Sequence, residues 1–371
     1  MESLFHKIFQ AIQLAEELSD SEFNDLAIQL FKHQLENNQS YKKISSSRGV
    51  NSVKHWTEIP LITTNSFKIH KHFCFKEPQI IKTFFSSGTS TGEQSKHYLS
   101  NRELELYELS LWKSFGKAFN LKENYVEDDC NLAYLVLTEN QEDKPDSSLI
   151  HMFETIRKRL NVDKHCFFYK NDRLQIERLV DSLKQAEIQQ KKVLLVGTAF
   201  SFVHFLDGFN GEFHLPSNSI LMETGGYKGK SREIPKGELY KILSKKLGID
   251  PNNIIGQYGM SEIGTQFYDN VNPANSLLNN VSRSSFHFDL NSRVKMIPSW
   301  SRIRILDPNN LSQEVANDER GLIAIYDLCN IDSCSFILTG DIGIKKENSF
   351  EIIGRSNELS PKGCSLNYEL S

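Results

Sequence analysis

Between residues 79 and 258 the chain alternates short runs of β-forming residues with stretches of helical periodicity, and few architectures accept that order. QIIKTFF (79–85), NLAYLVLT (131–138), KVLLVG (192–197) and SILMETGG (219–226) read as strands, the inner ones apolar throughout as in a sheet covered on both faces. Between them lie helical stripes. Ser100 and Glu103 form a capping box ahead of Leu104, Glu108, Leu111, Phe115 and Phe119, so strand, polar loop and helix are expected to follow one another there. A second helix is expected from about Ser147 to Leu160, and a third carries Leu174, Leu179, Val180, Leu183 and Ala186. Leu239, Ile242, Leu243 and Leu247 form a fourth stripe, stopped by Gly248. Strands alternating with helices imply a mostly parallel sheet with helices on both faces.

The flanks differ. The first forty residues carry Phe23, Leu26, Ala27, Leu30 and Phe31 at helical spacing and read as two amphipathic helices capping a core. An irregular connector with Pro60 follows. After Trp300 the texture changes to short strands, SRIRILD, GLIAIYDL, SFILTG and SFEIIG, divided by Asp, Asn, Pro and Gly turns. The expected organisation is a helical part over 1–75, an α/β core over 76–280, and a small β-rich subdomain with a C-terminal tail over 281–371.

At 371 residues, with 39% hydrophobic side chains and 24 Phe, the chain can bury a sizeable core. With 43 Lys and Arg against 47 Asp and Glu, the net charge of -4 gives no basic excess to attract nucleic acid. No apolar run approaches the roughly 18 residues of a membrane span, and the first twenty residues are too charged for a secretory signal, so a cytoplasmic location is expected. The six cysteines show no zinc spacing.

The residues that suggest chemistry sit after the strands. Ser86, Ser87, Gly88, Thr89, Ser90, Thr91 and Gly92 place five hydroxyls and two glycines in seven positions. Such a loop can wrap phosphate oxygens with backbone amides and hydroxyls, and Lys96, four residues on, can add a point charge. It lacks the Walker A spacing. Alone, a stretch of this composition is more often a plain solvated loop.

SSGTSTGEQSK resembles the phosphate-binding signature of the adenylate-forming enzymes, the superfamily of acyl- and aryl-CoA ligases, luciferases and peptide-synthetase adenylation domains. Further motifs follow in that superfamily's order. Glu-Thr-Gly-Gly at 223–226 matches the turn whose backbone, here Gly225 and Gly226, lies against adenine. QYGMSE at 257–262 is similar to the aromatic-Gly-x-Thr-Glu motif. By that match Tyr258 and Gly259 line the nucleotide site with Tyr258 stacking on adenine, Ser261 touches the α-phosphate in place of threonine, and Glu262 holds Mg²⁺. LTGDIG resembles the Thr-Gly-Asp motif whose carboxylate, Asp341, accepts both ribose hydroxyls, and GRSNE resembles the Gly-Arg motif, with Arg355 meeting ribose or phosphate oxygens. Each pair of residue and role is chemically apt: a π face for a base, a hydroxyl or guanidinium for phosphate, a hard carboxylate for a hard cation.

At finer grain the chain resembles the LuxE-type acyl-protein synthetases through SSGTSTG, METGGYKGKSRE (222–233), QYGMSEIGTQFYD (257–269), LTGDIG and GCSL (363–366). The resemblance implies an α/β adenylate-forming N-terminal domain without the superfamily's large C-terminal lid. It also implies ATP and Mg²⁺, a carboxylic acid substrate expected to be a fatty acid, and an acyl acceptor cysteine near the C-terminus. Cys364 stands there, seven residues from the end, and neighbouring Lys362 favours its thiolate. An acyl-accepting reductase, transferase or carrier protein is the implied partner. Two rivals stay open: a ligase that transfers the acyl group directly to CoA, a carrier protein or a small amine, and a nucleotide-binding subunit without turnover. His151 and His204, both among apolar residues, read as core histidines.

Overall fold

A computed structural model of the protein describes residues 2–87, 93–121, 132–227, 229–270 and 293–355. The chain opens with α1 (Glu2–Leu14), α2 (Asp20–Asn37) and α3 (Gln39–Ser47), one helix more than the periodicity suggested. Ser19 starts α2 with a reciprocal cap: its hydroxyl accepts from the Glu22 amide at 3.2 Å, and Glu22 accepts from the Ser19 amide at 2.9 Å. A two-residue strand β1 (Ile62–Thr63) and one helical turn α4 (Ser66–Ile69) lead on.

β2 (Lys82–Phe85) then pairs antiparallel with β3 (Lys96–Leu99) before α5 (Asn101–Phe119) begins. The expected order of strand, loop and helix is therefore corrected to hairpin and helix. The Ser100 hydroxyl caps α5 by accepting from the Glu103 amide at 3.2 Å, but the Glu103 carboxylate turns inward, where it accepts from Ser333 Oγ at 2.8 Å.

The alternating region follows as β4 (Leu132–Leu137), α6 (Ser148–Arg159), the small hairpin β5 (Tyr169–Lys170) and β6 (Arg173–Leu174), then α7 (Ile176–Ile188). Leu174 belongs to β6 rather than to the helix its spacing suggested, and Gln175 is the N-cap of α7. Next come β7 (Lys192–Thr198), α8 (Ala199–Gly208), β8 (Ile220–Thr224), α9 (Lys236–Leu247), β9 (Ile254–Tyr258) and β10 (Phe267–Tyr268). Gly248 ends α9 at φ +67°, and a Cβ there would meet the Phe213 carbonyl oxygen at 2.7 Å, so only glycine fits.

These strands form a five-stranded sheet in the order β10-β9-β8-β7-β4, parallel except for β10. Successive β7 residues face opposite sides. Val193 and Leu195 pack with Leu179, Leu183, Phe202, Phe205, Leu239 and Leu243 of α7–α9, while Leu194 and Val196 pack with Tyr107, Phe115, Met152 and Phe153 of α5 and α6. Each fully buried Phe or Leu in these layers contributes about 1.5–3 kcal/mol relative to exposure.

A second sheet is built from β11 (Val294–Met296), β12 (Ser301–Asp307), β13 (Asn310–Glu314), β14 (Arg320–Asp327), β15 (Phe336–Lys346) and β16 (Ser349–Arg355). Its order is β11-β16-β15-β14-β12-β13, and β1 joins as a seventh strand parallel to β15. Its core includes Leu4, Ile8, Phe23, Phe31 and Tyr41 of α1–α3 against Ile303, Ile323, Ile325, Phe336 and Ile337. The N-terminal helices and the late strands thus share one core.

The two sheets meet at β9–β10 and β11–β16. Asp269, just after β10, bridges Lys295 of β11 through a 2.7 Å ion pair, and Lys295 also donates to the Gly256 carbonyl at 2.8 Å. The rings of Tyr258 and Phe267 pack edge-on against Phe350 of β16. Among the described residues no helix is long and apolar enough to cross a membrane.

Candidate active site

The carboxyl ends of β8 and β9 lie side by side, with Thr224 opposite Gln257, and in parallel α/β sheets ligands bind beyond that edge. Gly225 and Gly226 follow β8. Gly225 has φ +67°, which glycine tolerates without strain, and a Cβ built on either residue meets nothing within 4 Å. Open space therefore lies over this backbone, as a flat base requires. Tyr258 closes β9 beside it.

The second sheet brings its own residues to the same place. Asp341 of β15 sits opposite Arg355 of β16. The Tyr258 hydroxyl donates to Asp341 Oδ2 at 2.7 Å, and Arg355 Nε lies 3.4 Å from Oδ1. Burial first, and then the neighbouring Asp341 carboxylate, pushes the Tyr258 phenol well above its ordinary value, so it remains a donor at neutral pH. Arg355 is 72% exposed and its guanidinium faces solvent. Over Gly340 a Cβ would again meet nothing within 4 Å, whereas at Gly259 it would meet Gln257 Nε2 at 2.7 Å.

Ser261 and Glu262 occupy the turn after β9. Ser261 Oγ donates to the Phe85 carbonyl and lies near Ser148 Oγ, both at 3.3 Å, which ties the turn to the end of β2 and the start of α6. Glu262 is only 5% exposed. Burial raises its carboxyl above the ordinary value, opposed by a hydrogen bond from the Ser95 side chain. A buried carboxylate supported by a hydroxyl suits a divalent cation. Among the described residues no three His, Cys, Asp or Glu side chains cluster as a metal cage. That donor set fits Mg²⁺, which takes one or two carboxylates and completes its shell with phosphate oxygens and water.

Ser86 and Ser87 follow β2. Ser86 pairs with Ser95 across the hairpin, accepting from the Ser95 amide at 2.9 Å through Oγ, while Ser87 is exposed. Lys96, the first residue of β3, is exposed between Ser95 and His97, which are buried on the opposite face. Gly88, Thr89, Ser90, Thr91, Gly92 and Cys364 lie outside the described residues. His151 sits between Glu108 Oε1 and Gln141 Nε2, each at 2.9 Å, and His204 between the Tyr169 hydroxyl at 2.8 Å and the Lys230 carbonyl at 3.0 Å. Both are satisfied structural side chains. Sequence reasoning passed over Ser95, His97 and Ser148. The period-two run Ser95–Leu99 was the available signal, hidden by the helix cap that follows it.

A parallel sheet ending in two open glycines and an aromatic ring, met by an Asp–Arg pair from a second sheet, gives the fold of the adenylate-forming enzymes. Two structures of 2-hydroxyisobutyryl-CoA ligase share this fold, one open with 2-HIB-AMP and CoA and one in the thioesterification state. Both match at a TM-score of 0.61 and 11% identity over 93% of this chain, covering 77% and 70% of theirs. The chain belongs to the LuxE acyl-protein synthetase family, matched over residues 5–370, and is a ligase. It is similar to the long-chain-fatty-acid–luciferin-component ligase of Aliivibrio fischeri, 25% identical over 89% of this chain and 83% of that protein. The ligase of the same name from Vibrio harveyi is 21% identical over 91% of this chain and 84% of its own length.

Proposed function

We propose that the protein activates a fatty acid with ATP as an acyl-adenylate and then passes the acyl group to a thiol. The observation that carries this reading is the meeting of Gly225–Gly226, Tyr258, Ser261, Glu262, Asp341 and Arg355 at one junction, although they lie on or just after four strands in two sheets. The names of the family relatives support a long-chain fatty acid as the substrate.

In this reading adenine rests on the Gly225–Gly226 backbone and the Tyr258 ring, and Asp341 accepts from the ribose hydroxyls. Arg355, Ser261 and the hydroxyl-rich loop from Ser86 to Gly92 meet phosphate oxygens, and Lys96 adds a nearby charge. A carboxylate oxygen of the acid attacks the α-phosphorus, the bond to the β-phosphate oxygen breaks, and pyrophosphate leaves with the electron pair. The protein supplies alignment and fixed charge rather than covalent chemistry. Glu262 is the residue that would hold Mg²⁺, which when bound neutralises phosphate charge. A thiolate then attacks the acyl carbon and AMP leaves. Cys364 is the candidate thiol, and a partner reductase, transferase or carrier protein the onward acceptor.

Pyrophosphate exchange into ATP, measured with and without added fatty acid, tests the first half. Exchange should require the acid, and Glu262→Gln should lower it about a hundredfold while the protein still folds and binds nucleotide. Nucleotide binding without exchange for any carboxylic acid would instead make the chain a binding subunit.

A further inference from the structure

The Ser261–Glu262 turn belongs to neither a helix nor a strand, so the aim of the Glu262 carboxylate depends on what grips the turn from outside. Asn330 grips one side. Its Nδ2 donates to the Glu262 carbonyl at 2.7 Å and to the Cys334 carbonyl at 3.0 Å, while its own carbonyl accepts from Gln34 Nε2 at 2.7 Å. His97 grips the other side: its Nδ1 lies 2.7 Å from the Ser261 carbonyl oxygen. A carbonyl only accepts, so this nitrogen carries the proton.

The far ring nitrogen is also engaged. His97 Nε2 lies 2.9 Å from Ser333 Oγ, in the segment between β14 and β15, and 3.4 Å from Glu103 Oε1 of α5. At 1% exposure the imidazole has no room to turn. Its place on β3 adds a second link. Ser95, two residues earlier and buried on the same face, acts on the Glu262 carboxyl, opposing the rise that burial causes. Two inward side chains, Ser95 just before β3 and His97 within it, therefore face one turn.

We propose that His97 is a positioning residue for Glu262: its Nδ1–H bond to the Ser261 carbonyl fixes the direction in which the carboxylate meets the metal-bound triphosphate. The inference rests on reading Glu262 as the carboxylate on the metal side. Outer groups that orient a ligating side chain raise affinity without touching the metal, and a rigid ring held at both nitrogens suits that task.

Two substitutions divide the ring's functions. His97→Asn retains an amide donor near the place of Nδ1, and His97→Gln retains one near Nε2 while giving up the Ser261 carbonyl. The readout is the ratio of ATP affinities with and without Mg²⁺, measured by calorimetry. His97→Gln should reduce that ratio about 10- to 100-fold with metal-free ATP binding changed less than about threefold, and His97→Asn should recover most of it. If Gln and Asn leave equal ratios while Glu262→Gln abolishes the Mg²⁺ effect, the positioning role is overturned. If Glu262→Gln leaves the ratio intact, the assignment of Glu262 has failed and the inference with it. Should His97→Gln not fold, His97→Ala read against His97→Asn decides the same point: equal ratios overturn the role, and recovery in Asn alone supports it.

Discussion

The Asp341 carboxylate is held from both sides. One of its oxygens accepts from Tyr258 at 2.7 Å and the other faces Arg355 at 3.4 Å, so the carboxylate is fixed between two donors. Hydrogen bonds to a charged acceptor are worth about 1.5–3 kcal/mol, so Asp341→Ala should raise the KM for ATP in pyrophosphate exchange about 10- to 100-fold, with kcat much less affected. Tyr258→Phe keeps the ring face and loses one hydroxyl, and should raise KM less than about tenfold. Equal effects of the two substitutions would mean that Asp341 serves Tyr258 rather than ribose. The cysteines allow a second check at this scale. Burial pushes the Cys166 thiol up to about 12 and raises Cys74 and Cys329 as well, while Cys334 is fully buried. At pH 8 a thiol with a pKa of about 12 is ionised in only about one molecule in ten thousand. Brief iodoacetamide treatment of the native protein at that pH should leave these four unmodified, and peptide mass mapping should find any label only at Cys130 or Cys364. Label on Cys166 or Cys329 would contradict their burial.

At the scale of elements, the joint between the sheets is ionic. Asp269 is held below the ordinary carboxyl value because Lys295 and Lys236 outweigh its burial, and burial lowers Lys295 to about 8 against the pull of Asp269. Removing one partner of a buried pair leaves the other uncompensated, so Lys295→Met should cost about 3–5 kcal/mol in urea unfolding at pH 7. The pH dependence has a definite sign. Between about 8 and 10.5 the unfolded chain holds a proton on Lys295 that the folded chain has shed, so the parent gains stability with rising pH there. The gap to Lys295→Met should widen from pH 8 to pH 9.5, and a constant gap would remove Lys295 from the titrating groups. This joint was invisible in the sequence, because nothing local links Asp269 to a lysine 26 residues away. The inner strands β7 and β8 were legible because both faces are apolar, and α9 was legible because Gly248 marks its end. The hairpin was not, since β2 and β3 pair across residues 86–95 instead of a two-residue turn, and Ser100 signals a helix directly afterwards. Likewise β1 exists only through its pairing with β15, which no two-residue stretch can announce. The candidate site divides the same way: its proposed residues lie in local motifs after strands that the sequence displays, whereas Ser95, His97 and Asn330 reach the turn from distant parts of the chain.

For the whole molecule, one consequence follows from where the groups lie. Gly225, Gly226, Tyr258, Ser261, Glu262, Asp341 and Arg355 gather where the two sheets meet, and the described part of that junction contains no thiolate-forming cysteine: Cys329 is fully buried with its thiol raised, and Cys334 is equally enclosed. In the proposed mechanism, activation and thiol acylation are separate steps that use different groups. Cys364→Ser should keep fatty-acid-dependent pyrophosphate exchange within about twofold, because forming the adenylate needs no thiol. Incubated with ATP, Mg²⁺ and the acid, the parent should gain one acyl mass that neutral hydroxylamine removes, as expected of a thioester, and Cys364→Ser should gain none. Intact-mass spectrometry reads both. The same adduct on Cys364→Ser would place the acceptor elsewhere in the chain. A parent that exchanges pyrophosphate yet never gains the acyl mass would mean that the acyl group goes straight from the adenylate to a separate acceptor, and the thioester step would be lost from the mechanism while the adenylation site stood.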